Sequence, residues 1–74
     1  MLEKIMEMAK QANDLVKAAT GDDALNLLLE VADDAYEEVQ ADNEYRTWEA
    51  QLVYVANSIW EQAFWIVELK QGGK

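Results

Sequence analysis

Apolar residues recur at three- and four-residue steps through most of the chain, the spacing that gathers side chains on one side of an α-helix. Leu2, Ile5, Met6, Ala9, Ala12, Val16 and Ala19 form one such stripe, with Glu3, Lys10, Asp14 and Lys17 on the opposite arc. The pattern predicts an amphipathic helix over residues 2–19. It ends at Thr20-Gly21-Asp22, where glycine can take the left-handed conformation that follows a helix, and Asp22 or Asp23 can accept the first free amides of the next helix.

A second stripe runs through Leu25, Leu28, Leu29, Ala32, Ala35, Tyr36 and Val39, predicting a helix over 23–41 whose other side is acidic; Leu27 alone departs from the division. A third runs through Tyr45, Trp48, Leu52, Val55, Ala56, Ile59, Ala63, Ile66 and Val67 and predicts a helix over 44–70, with residues 71–74 as a flexible tail. No glycine or proline separates the second and third stripes. The rival to a break is one long helix that pairs with the first and must dimerise. The stripe decides between them: continued past Val39, the second face would carry Asp42, Asn43 and Arg46 into the core, while Tyr45 and Trp48 lie roughly a third of a turn away at ~100° per residue. A break at Asp42-Asn43, both good N-caps, restores an apolar interior. The expected fold is therefore all-α, a single antiparallel three-helix bundle with the third helix longest.

The third helix holds more apolar surface than one face can bury. Val53, Trp60 and Phe64 make a stripe beside its main seam, expected to pack on a neighbouring helix, and Tyr54 with Trp65 points nearly the opposite way, leaving both outside. At ~27 residues against partners of ~19 to 20, its last turns, with Trp65, Ile66 and Leu69, should overhang. Tyr54, Trp60, Phe64, Trp65 and Leu69 are the candidate self-association surface. A homodimer also suits a chain of 74 residues with no cysteine or histidine, which has neither disulfide nor zinc to reinforce a small core.

The same composition argues against catalysis. The chain has no cysteine or histidine, and its one serine, Ser58, has no plausible activating base nearby in its helix. Carboxylates one turn apart, such as Asp33 and Glu37, could act as acid and base only in a pocket that raises one pKa, and a solvated face provides none. Glu30, Asp33, Asp34 and Glu37 have a spacing that could touch a hard cation, but neither the Glu-x-x-His pairs of helical di-iron sites nor a calcium loop with its central glycine is present. No cofactor and no metal are expected. The longest unbroken apolar stretches, 52–56 and 63–67, fall far short of the ~20 residues that cross a bilayer, and Glu3 and Glu7 interrupt the first ten residues, unlike a secretion signal. These readings point to a soluble cytoplasmic protein with no membrane association.

Charge is where the sequence is most lopsided. Fifteen acids face six bases, a net charge of −9, which disfavours nucleic acid as a direct ligand and makes a basic protein surface the natural complement. Residues 1–20 carry three acids and three bases and residues 51–74 two of each, so residues 21–50, with ten acids and Arg46, hold the whole imbalance. Solubility alone would be served by mixed charges. Asp23, Glu30, Asp33, Asp34, Glu37 and Glu38 are accordingly the candidate partner-binding residues. From Asp22 to Asp42 the acids would fall about 4 Å apart along a helix of ~31 Å, close to the ~3.4 Å of a single nucleic-acid strand. The expectation is an inhibitor or regulator that presents an acidic helix to a nucleic-acid-binding surface, a type met among phage-encoded inhibitors of host defence. A structural homo-oligomeric subunit, or an immunity or antitoxin protein, are the alternatives.

Overall fold

The computed structural model describes residues 2–42 and 46–72, which form three helices: α1 (Leu2–Thr20), α2 (Leu25–Ala41) and α3 (Trp48–Gly72). Every helix packs on the other two, and no strand occurs among the described residues. Cross-helix contacts fix the directions. Gln40 meets Gln51, Glu38 meets Tyr54 and Asp22 meets Lys70, so α2 and α3 run antiparallel. The short turn after α1 reverses the chain, which sets α1 and α3 side by side in the same direction. The result is the antiparallel three-helix bundle the periodicity predicts, and α3, at 25 residues, is its longest member.

The core is made of small residues. Ile5, Ala9, Ala12 and Val16 from α1, Leu28, Ala32, Ala35 and Val39 from α2, and Val55, Ile59 and Ala63 from α3 are buried, and five of these eleven are alanine. Alanine lets helix axes approach closely but fills little volume, so the larger rings are kept to the rim: Tyr36, Trp48, Tyr54 and Trp60 pack on the core while remaining partly exposed. In α1 the buried arc departs from the expected stripe at its edges. Met6, roughly 90° from the centre of that arc at ~100° per residue, is 46% exposed, and Ala19 is exposed as well. Asn13 takes the place beside the arc and is buried at 6%.

Asn13 is buried because the turn needs it. The Asn13 side-chain oxygen accepts the Ala24 amide at 2.7 Å, and the Asp23 carboxylate accepts the Leu25 amide at 2.9 Å. Asp23 thus works from outside the helix, and α2 begins at Leu25 rather than at 23. Gly21, at φ +80°, donates its amide to the Lys17 carbonyl at 2.8 Å, the left-handed helix ending the sequence implies.

At the second connection, the expected start of the third helix at Asn43 or Glu44, and the seam position of Tyr45, lie outside the described residues. Asp42 is extended (φ −99°, ψ 121°), Arg46 and Thr47 are not helical, and α3 starts at Trp48. The start is later than expected because Thr47 is the cap: its hydroxyl oxygen accepts the Ala50 amide at 3.1 Å. At the other end α3 continues through Gln71 and Gly72, two residues into the expected tail; residues 73 and 74 lie outside the described residues. Its last turns do not simply overhang. The α1–α2 turn reaches them, with Ile66 lining the same surface pocket as Leu25 and Leu27, and the Lys70 ammonium 3.0 Å from the Asp22 carboxylate.

Candidate interaction surfaces

The outer side of α2 is acidic by construction. Leu28, Ala32, Ala35 and Val39 face inward, so Glu30, Asp33, Asp34 and Glu37, two positions away along the helix, face out; they are exposed, as is Glu38 at the edge of the same arc. At ~100° per residue they fan over about 140° of arc. None of Glu30, Asp33, Asp34 and Glu37 has an ion pair among the described residues, and Glu38 accepts the Tyr54 hydroxyl at 2.9 Å.

Three acids expected to extend this line are employed elsewhere or leave it. Asp22 pairs with Lys70, Asp42 lies beyond the helix, and Asp23 is held in the turn. The Asp23 carboxyl sits below its ordinary value of 3.8, first because of the Leu25 amide and then, against some desolvation, because of the Asn13 side chain and the Lys17 charge. The acidic line of ~31 Å read from the sequence is thus shortened to Glu30–Glu38, about 12 Å at 1.5 Å per residue. Its five charges are denser than a single strand's but reach over only three or four phosphate spacings. Among the described residues, no three carboxylates converge closely enough to hold a metal ion.

The aromatic residues of α3 divide differently from the expectation. Tyr54, expected outside, is half-buried: α2 packs on that side, and the phenol finds an acceptor in Glu38. Trp60 packs on the core rim, with its ring centroid 6.1 Å from that of Phe64. Val53 and Phe64, expected to pack on a neighbour, are instead 59% and 57% exposed, lying at ~100° per residue just beyond the half-buried arc of Leu52, Ala56 and Trp60. Trp65 and Leu69 are exposed to nearly the same extent, as the sequence implies.

Trp65 is not isolated. With Phe64, Ser58 and Val31 it lines a groove of about 670 Å³ between α2 and α3, bordered by Glu61 and Glu68. Val31 was missed because it lies off the main apolar face of α2. The signal was present in Leu27 and Val31, apolar residues one turn apart that serve no core position. No helix among the described residues is long and apolar enough to cross a membrane.

No protein-family model matches this chain, and no curated protein or solved structure is significantly similar to it.

Proposed function

We propose that the chain is a small protein-interaction module whose α2 presents a carboxylate patch to a basic surface on a partner protein, blocking or regulating it. The observation that carries the reading is the set Glu30, Asp33, Asp34 and Glu37, exposed together on a rigid helix with no cation paired to any of them among the described residues. Like charges one turn apart cost an isolated helix about 0.2 to 0.5 kcal/mol per pair. A solubilising surface would relieve that with interspersed lysines, as α1 does with Lys4, Lys10 and Lys17. A one-signed field instead steers a basic partner into contact and rejects acidic ones. The patch length favours a compact basic site, such as one that holds a few phosphates of a nucleic acid, over a long duplex groove.

The test uses the triple variant Glu30→Lys, Asp33→Lys and Glu37→Lys; Glu38 is left in place because it holds Tyr54. Affinity capture from the native host with the wild type should return a basic protein that is released as salt is raised, and the variant should fail to retain it. Retention by the variant with the same salt dependence would refute the reading.

A second reading is a homo-oligomeric subunit assembled through α3, favoured by the exposure of Phe64, Trp65 and Leu69 on one helix end. Sedimentation equilibrium decides it. Under this reading the wild type is a dimer and Trp65→Ala a monomer, whereas a wild type monomeric at high concentration ends it.

A further inference from the structure

We infer that the groove between α2 and α3 is a docking site for a basic amphipathic helix of a partner protein. The inference rests on the acidic-surface reading for the sign of the partner's charge, and it names a second place of contact and the shape that fits it.

Ser58, Glu61, Trp65 and Glu68 follow three- and four-residue steps, so the α3 wall is a straight stripe about 15 Å long at 1.5 Å per residue. Val31 of α2 supplies the opposing wall. A furrow between two antiparallel helices accepts a third helix, whose apolar residues at i, i+3, i+4 and i+7 fill it. Three turns would match its length. Trp65, in this wall, and Phe64 at its edge are both more than half exposed and offer ring surface of the kind that anchors interfaces.

Charge selects the occupant. The α3 wall carries Glu61 and Glu68, and on α2 the residue one turn beyond Val31 is the exposed Asp34, level with Ser58; no lysine or arginine lines the groove. A helix with apolar anchors flanked by Lys or Arg would therefore meet carboxylates on both sides. A second copy would instead bring its own Glu61 and Glu68 against these, placing like charges around buried rings.

The probe is a synthetic peptide of about 14 residues, ~21 Å as a helix, with Leu at i, i+3, i+4 and i+7 and Lys elsewhere, titrated into the full chain by calorimetry. Binding should be saturable and weaken with salt. It should fall about tenfold or more in Trp65→Ala and in Glu61→Lys with Glu68→Lys, and by a similar factor for a peptide of the same composition with the leucines scrambled. The two glutamates are exposed, so their variant carries the test if Trp65→Ala does not fold. Asp33→Lys with Glu37→Lys, about 120 to 160° round α2 from Val31, should weaken binding clearly less than Glu61→Lys with Glu68→Lys does, and the difference should widen as salt screens the more distant charges.

A loss in that last variant equal to or greater than the loss in Glu61→Lys with Glu68→Lys would move the peptide to the α2 patch, overturning the groove while leaving the acidic-surface reading intact. Equal binding of the scrambled peptide, no effect of Trp65 and the glutamates, or no binding by the wild type would overturn the groove alone. A wild-type dimer dissociated by Trp65→Ala would assign the groove to a second copy and overturn the inference.

Discussion

Asn13 does more for this fold than its polar character suggests, because one buried amide group ties the middle of α1 to the start of α2. Its oxygen accepts the Ala24 amide at 2.7 Å, which leaves α2 with no need of a side-chain cap at Ala24 itself. Removing a buried partner leaves the other group desolvated and unpaired, a cost of about 1 to 3 kcal/mol. Asn13→Ala should therefore lower unfolding free energy by that amount in urea titrations, more than Asn26→Ala on the exposed side of α2. Asp23 adds a pH dependence. Its carboxyl is depressed in the folded state, mainly by the Leu25 amide, so the stability it contributes is fully present above the unfolded value of 3.8 and is lost as pH falls through the lower folded value. Asp23→Asn, which cannot titrate, should show a shallower loss of stability between pH 5 and about pH 2. Parallel acid limbs for the two proteins would remove Asp23 from the account.

At the scale of elements, the ends of the helices were harder to read than their faces, and α3 shows why. Asp42, Asn43 and Thr47 are all good caps by residue type. Which one is used depends on how much chain is needed to carry α3 across the end of the bundle, and no local pattern encodes that distance. Thr47→Ala should cost about 1 kcal/mol, seen as a lower urea midpoint with an unchanged slope. The faces were legible because burial follows a 3.6-residue period: the core positions Leu28, Ala32, Ala35, Val39, Val55, Ile59 and Ala63 all lie on the predicted stripes. What the period left open was the side of α3 on which each neighbour packs. Tyr54 and Phe64 exchanged places for that reason: α2 covered the tyrosine, whose hydroxyl could then be satisfied by Glu38, and Phe64 was left in solvent. For the candidate surfaces, the acidic residues of α2 followed from charge and period together. The groove did not, since Val31 and Trp65 come from different helices and only the packing of α2 on α3 brings them together.

The whole molecule is a slender rod, 42 × 21 × 16 Å, with a radius of gyration of 12.9 Å; a round domain of this length would be near 11 Å. Slenderness follows from the core: five alanines among eleven buried residues bring the helices close together and leave a thin interior. With little buried volume in reserve, surface electrostatics become a sizeable fraction of total stability.

The acidic patch therefore predicts an unusual response to salt. Glu30 and Asp34, Asp33 and Glu37, and Asp34 and Glu38 are like-charged pairs one turn apart on α2, together worth about 1 kcal/mol of repulsion at low ionic strength. The opposing term is small: the Asp22–Lys70 pair is more than half exposed, and exposed pairs contribute little. Raising sodium chloride from about 0.01 M to 1 M shortens the screening length from ~30 Å to ~3 Å. The repulsion should fade with it. For a domain of this size, 1 kcal/mol shifts the melting temperature by about 4 to 8 °C, so the helical melt followed by circular dichroism should move upward by several degrees. Glu37→Lys, which turns one repulsive pair into an attractive one and places a cation near the α2 C-terminus, should begin from a higher melting temperature and rise less with salt. A flat or falling melting temperature in the wild type would mean that α2 carries its charges without strain. The patch would then have no stability cost for which partner binding must account.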